Sequence, residues 1–176
     1  LEGGNEFNGG MAAADRRAME VCGGSRAPVR IIPAAAAPDL NHTRAGATAT
    51  AWFQALGAAD VKAVGIIDRA SAERRDLADE VANARLVFLL GGFPRHLANC
   101  LSGSRTGRAM LNARRSGAVI AGSSAGAMVL CERYLDPQSD TVQQGLNLVP
   151  DACVIPHHER FGSSWAAKLA PLRPEV

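Results

Sequence analysis

The sequence predicts a layered α/β fold, a mostly parallel sheet with helices on both faces, on three observations. Short apolar segments alternate with helical ones; one of them, Leu86–Leu90, is hydrophobic without a break; and a glycine-flanked serine stands between a later apolar segment and a helix. A strand covered on both faces has no solvent side, so its residues are apolar in succession rather than at every second position. Strands alternating with helices over 176 residues fit one sheet joined by crossovers, expected to be right-handed. The hydrophobic fraction of 47% suffices for a core and excludes a disordered chain, and with aromatics at only 5% that core falls to alanine, valine, leucine and isoleucine.

In chain order, Leu1–Phe7 reads as the end of a strand entering a glycine turn, and Met11–Val21 as a helix stopped by Gly23-Gly24. Val29–Ile32 is a short strand closed by Pro33, Thr43–Leu56 a helix ending at Gly57, and Val61–Ile67 the next strand. Ser71 is placed to cap a helix whose Leu77, Ala78, Val81 and Ala82 share one face. After Leu86–Leu90 and Gly91-Gly92, two helical pieces are expected between Pro94 and Gly117, broken near Leu101–Ser104. Ala118–Ala121 is a buried strand, Ala125–Cys131 a helix and Asp136–Gln144 a polar loop. Val149–Ile155 contains a strand ended by Pro156, and Gly162–Leu169 forms a last short helix.

A formal charge of +2, with acids and bases mixed along the chain, offers no track for nucleic acid. No apolar run approaches a membrane span and no cleavable secretion signal precedes the first folded segment, so a cytoplasmic protein without a membrane partner is expected. Cys22, Cys100, Cys131 and Cys153 lack metal-ligand spacing and read as reduced and buried. No metal or organic cofactor is required.

Chemistry concentrates where strands end, because ligands of such sheets sit outside the carboxyl ends. Gly122-Ser123-Ser124-Ala125-Gly126 is a G-x-S-x-G pattern between strand and helix, the context in which the central serine is exposed on a tight turn. The alternative is a glycine-rich helix start with Ser123 or Ser124 as N-cap. A serine nucleophile needs a base, and His157 and His158 follow the last strand, with His157 the better placed and His158 expected to point elsewhere. His42 and His96 read as surface or capping residues. Donors for an oxyanion are the amide of Ala125, after the serine, and that of Gly92, with Gly91 second.

Gly91-Gly92, the segment Ala121-Gly122-Ser123-Ser124-Ala125-Gly126-Ala127, and Gly145-Leu146-Asn147-Leu148-Val149-Pro150 followed by Ile155-Pro156-His157 resemble the signatures of the dipeptidase E and cyanophycinase family of serine peptidases. Gly3-Gly4-Asn5-Glu6-Phe7 is similar to that family's opening glycine turn. The resemblance runs in order over nearly the whole chain. It implies a three-layer, class I glutamine amidotransferase-like (flavodoxin-like) fold, as one domain over residues 1–176. It further implies Ser124 as nucleophile, His157 as base and an oxyanion hole from the Gly92 and Ala125 amides. The implied reaction is hydrolysis of a peptide or isopeptide bond, through an acyl-enzyme, in short peptides containing aspartyl residues.

Two features depart from the family pattern. Cyanophycinases carry a glutamine shortly after the double glycine, where this chain has Phe93-Pro94-Arg95. The family also draws its acidic third member from strands after the histidine, and only 19 residues follow His157, while the opening lacks most of the first strand. Residues are therefore expected to be missing at both ends, with an internal omission as a further alternative. Within the sequence, Glu132, Asp136 and Glu159 are the candidate acids. Glu6 is a candidate for binding a substrate amino group, and Arg95, Arg160 and His158 for other substrate contacts. A short peptide is the expected partner, with a homodimer if a small-residue helix face is left open. Two rival readings are an α/β-hydrolase-type esterase, needing Asp136, Asp140 or Asp151 as its acid, and a non-catalytic amidotransferase-like binding domain, supported by the absent acid.

Overall fold

The computed structural model describes residues 1–170. Strands β1 (Val29–Ile32), β2 (Val61–Ala63), β3 (Leu86–Leu89) and β4 (Val119–Gly122) form a parallel sheet in the order β2-β1-β3-β4. Val29 is in register with Val61 on one side and Leu86 on the other, and Leu86 with Val119. Alternation along the strands divides the core in two. Val29, Ile31, Leu86, Phe88 and Leu90 face one cluster with Met19 of α1 (Ala12–Val21) and Phe53 of α2 (His42–Ala55). Within it the Phe53 and Phe88 rings meet edge-on at 5.3 Å. Ile32, Val87 and Leu89 face the other side. There they meet residues of α3 (Arg69–Ala72), α4 (Arg75–Ala82), α5 (Pro94–Leu101), α6 (Arg105–Arg115) and α7 (Ala125–Leu130). The result is three layers with helices on both faces, as the unbroken apolar strands require.

Local rules explain most boundaries. α5 starts with Pro94 in its first turn, where a missing N–H costs nothing. It breaks at Ser102, and Ser104 restarts the chain by accepting the Gly107 amide at 2.9 Å as the cap of α6.

Several expectations need correction. The segment Val61–Ile67 is strand only as far as Ala63. The helix expected to be capped by Ser71, the one carrying Leu77, Ala78, Val81 and Ala82, is α4, which starts after Arg74 with no side-chain cap. Ser71 instead lies inside the short α3, capped by Asp68, whose carboxylate accepts the Ser71 amide at 2.7 Å while Ser71 Oγ accepts the Asp68 amide at 3.0 Å. Residues 136–144 are not a free loop: β5 (Arg133–Asp136) pairs antiparallel with β6 (Thr141–Gln144). Val149–Ile155 is irregular apart from one bridge between Val149 and Cys131. The last helix, α8 (His158–Leu169), starts four residues earlier than expected. Cys22, Cys100 and Cys131 are buried, but Cys153 is exposed. Among the described residues no helix is long and apolar enough to cross a membrane.

Candidate active site

β4 ends at Gly122 and α7 begins at Ala125, so two serines make the whole turn between them. A Cβ on Gly126 would stand 2.2 Å from the Leu89 carbonyl oxygen, and one on Gly122 would stand 2.7 Å from the Gly126 carbonyl carbon. Hydrogen at both positions lets the helix begin against the strands. Ser123 turns inward and is fully buried, its Oγ without a partner among the described residues. Ser124 is left at the tip with φ 47° and ψ −113°, a conformation that costs a non-glycine residue about 1–3 kcal/mol. It occupies the N-cap position, yet its side chain makes no capping bond. The capping alternative is therefore not realised, and the hydroxyl points at a histidine instead.

Ser124 Oγ lies 3.4 Å from His157 Nε2, a loose contact of the kind that tightens when a ligand is bound. His157 does not come straight off a strand, as expected, but from the irregular segment before α8. Its backbone is left-handed, φ 49° and ψ 47°, at the N-cap of α8. Its amide donates to the Gly3 carbonyl at 2.7 Å, and its ring lies so close over Gly4 that a Cβ there would be 2.7 Å from the ring Cε1. One residue earlier, the Glu2 amide donates to Gly122 O and the Glu2 carbonyl accepts the Ser124 amide, each at 2.9 Å. One short N-terminal segment thus supports both Ser124 and His157. Reading Gly3-Gly4 as a turn missed this role, because the contact joins residues far apart in sequence and leaves no local pattern.

Beneath that segment, Glu2 and Asp15 are both buried, 6% and 2% exposed. Trp52 Nε1 donates to Asp15 Oδ2 at 2.8 Å, and no donor among the described residues reaches Glu2 Oε2. Burial, and then the hydrogen bond and charge of Asp15, push the Glu2 carboxyl up to about 8.

The glycine turn after β3 reaches the same place. The Phe93 amide donates to Ala35 O at 2.8 Å, which fixes the turn. A methyl group on Gly91 would lie 3.2 Å from Ser124 Cβ and 3.1 Å from Glu6 Oε1. Among the described residues, neither the Gly92 nor the Ala125 amide donates to a backbone acceptor. A cavity of about 250 Å³ opens beside the turn, lined by Glu6, Phe7, Asp39, Asn41, Gly91 and Gly92 among others. Asp39 escaped the sequence reading because it lies in a loop with no motif.

The remaining candidates lie elsewhere. Asp136, fully buried, meets Arg95 Nε at 3.3 Å and accepts Ser139 Oγ at 2.7 Å. Glu132 accepts the Asp151 amide at 3.1 Å and pairs with Arg133 at 3.4 Å. Glu159 is exposed in the first turn of α8. None of these three carboxylates hydrogen-bonds to or pairs with His157. His158 is exposed, its ring against Gly162. Arg160 donates its amide to the His157 carbonyl at 2.8 Å. His96 Nε2 contacts the Ile67 carbonyl at 2.7 Å, a structural role, and His42 opens α2.

The sequence model of peptidase family S51 matches residues 2–169. Among solved structures, a peptidase from an acI-B1 Actinobacterium is 25% identical with a TM-score of 0.83, over 99% of this chain and 75% of that one. A candidate peptidase E from Listeria monocytogenes EGD-e is 18% identical with a TM-score of 0.62, over 93% of this chain and 83% of that one, and is a likeness of fold alone. No curated protein matches the chain.

Proposed function

The chain belongs to peptidase family S51, and from that premise we propose that it hydrolyses a peptide or isopeptide bond in short peptides through a Ser124 acyl-enzyme. The observation that carries the reading is the strained, uncapped Ser124 facing His157 Nε2 at 3.4 Å. His157 takes the Ser124 proton as Oγ attacks the carbonyl carbon. The Gly92 and Ala125 amides, with no backbone acceptor of their own, stabilise the developing oxyanion. His157 then protonates the leaving amine, and water cleaves the ester by the reverse proton route.

The proposed fold type is class I glutamine amidotransferase-like (flavodoxin-like). Supporting it, the order β2-β1-β3-β4 reverses direction between β1 and β3, and the site lies at the carboxyl ends of β3 and β4. Glu6 and Asp39 make the cavity beside the glycine turn acidic, which suits the amino group of a short peptide. A preference for aspartyl residues rests on the family resemblance. Arg95, one candidate cation for it, is held by Asp136.

The test is replacement of Ser124 by alanine in the full-length protein, assayed on aspartyl and β-aspartyl dipeptides. Turnover falls by about three orders of magnitude or more and no acyl-enzyme mass is seen; His157→Ala is similarly impaired, and the double variant is little worse, because both disable one step. Undiminished turnover by Ser124→Ala rejects the mechanism.

A further inference from the structure

The turn between β5 and β6 is fastened at two points that the chemistry above does not use. At the first, Asp136 has a fully buried side chain facing Arg95 Nε at 3.3 Å. Its carboxylate also accepts Ser139 Oγ at 2.7 Å and the Gln138 amide at 3.4 Å. Arg95 lies in the first turn of α5, three residues past Gly92. At the second, Asp140 in the same turn accepts Lys168 Nζ at 2.6 Å on Oδ2. Lys168 lies in the last turn of α8, the helix whose N-cap is His157. The hairpin turn thus connects the helix that follows the glycine turn to the helix that follows the histidine.

The two fastenings differ in strength. Lys168 and Asp140 are 44% and 62% exposed, and an ion pair so open to solvent is weak and screened by salt. Asp136 has no access to water, and a buried carboxylate that loses its cation is strongly destabilised. Arg95 is therefore held by Asp136 more firmly than a surface arginine would be. Tyr134, two residues earlier on β5, is buried as well, so the strand itself is anchored in the core.

We propose, on the basis of the hydrolase reading above, that Asp136 is a positioning residue: by anchoring the hairpin turn on Arg95 it sets the spacing between the Gly91-Gly92 turn and α8, and with it the approach of His157 to Ser124. Asp136 was a sequence candidate for the triad acid. The geometry assigns it to Arg95 and not to the imidazole.

The experiment uses the full-length protein and the variants Asp136→Asn, Arg95→Gln and their combination, with two readouts. The first is the rate of phosphonylation of Ser124 by a fluorophosphonate, together with kcat and KM on a dipeptide. The second is hydrogen exchange at the Arg160 amide, which bonds to the His157 carbonyl and reports on the start of α8 without reference to activity.

Each single variant should lower the phosphonylation rate and kcat by about 10- to 100-fold, the loss typical of a slightly misplaced group. KM should stay within about twofold, and the double variant should be no worse than the singles. Arg160 exchange should quicken in all three. Lys168→Glu should act in the same direction more weakly, and Asp140→Lys should restore it. Wild-type rates in Arg95→Gln beside a large loss in Asp136→Asn would overturn the proposal, because Asp136 would then act on the histidine directly. Unchanged Arg160 exchange in every variant would overturn it as well. If the wild-type protein is not phosphonylated at all, the hydrolase reading fails, and the exchange measurement still decides whether the hairpin holds α8.

Discussion

Replacing Glu2 with glutamine tests the buried acid pair under the site. In the native protein Glu2 and Asp15 sit together out of water, and the Glu2 carboxyl is pushed from 4.5 to about 8, first by burial and then by Asp15. Between those values native Glu2 keeps a proton that the unfolded chain has released. Its contribution to stability is therefore full below about pH 4.5 and is lost as pH rises through about 8. At about 1.4 kcal/mol for each tenfold change in proton affinity, the ceiling is about 5 kcal/mol. Glutamine cannot ionise and still offers a donor to Asp15, so at pH 5 the variant should lie within about 1 kcal/mol of the parent. At pH 9 it should be more stable than the parent by about 2–5 kcal/mol. Urea unfolding followed by tryptophan fluorescence at pH 5, 7 and 9 measures both curves. Parallel pH dependence in the two proteins would refute the argument, since the proton would then be bound elsewhere. Because the Glu2 carbonyl holds the Ser124 amide, the parent should also lose activity with rising pH over the same interval, and the variant should lose less.

Other substitutions test the packing around the turn. Gly126→Ala forces a methyl to 2.2 Å from the Leu89 carbonyl oxygen and should destabilise the protein by about 3 kcal/mol, seen as a lowered Tm. Gly4→Ala drives a methyl into the His157 ring, and should slow phosphonylation of Ser124 by about 10- to 100-fold. Its cost in urea unfolding should stay near 1–2 kcal/mol, since the main strain is alanine at φ +136°. Phe53→Ala, which removes a fully buried ring from the Phe88 contact, should cost about 3–5 kcal/mol while kcat below the unfolding transition is unchanged.

What could be read from the sequence was what burial on both faces writes into it. Val29–Ile32 has the predicted bounds, Leu86–Leu90 runs one residue past its strand, and the break between α5 and α6 falls at the predicted serines. The hairpin was hidden for the opposite reason: Thr141–Gln144 is the outer strand of a two-stranded ribbon, partly exposed throughout, so it needs no apolar pattern. Its left-handed Asp140, φ 55°, allows the tight return without glycine. The stretch before His157 misled because its apolar residues suggested a strand, whereas the chain turns at Asp151, φ 53°, and makes only the Val149 bridge. At the site, Gly122-Ser123-Ser124-Ala125-Gly126 was legible because the two close backbone approaches demand glycine. The support of His157 by Gly3 and Gly4 was not, since a carbonyl and a missing side chain can be supplied by any glycine turn.

That support also sets an order in time. The Ser124 turn needs only residues 119 to 130 and segments made before them, β3 and the Glu2 backbone that holds the Ser124 amide, and can form as soon as that stretch docks on them. The bond from the His157 amide to the Gly3 carbonyl joins residues from near the two ends of the described chain, and closing so long a loop is slow and comes late. A ribosome-bound chain that has emerged only as far as α7 would carry a finished serine elbow with no histidine to act on it. On the proposed mechanism the protein would then be silent while it is being made, and competent only once its late segment folds back onto its first residues.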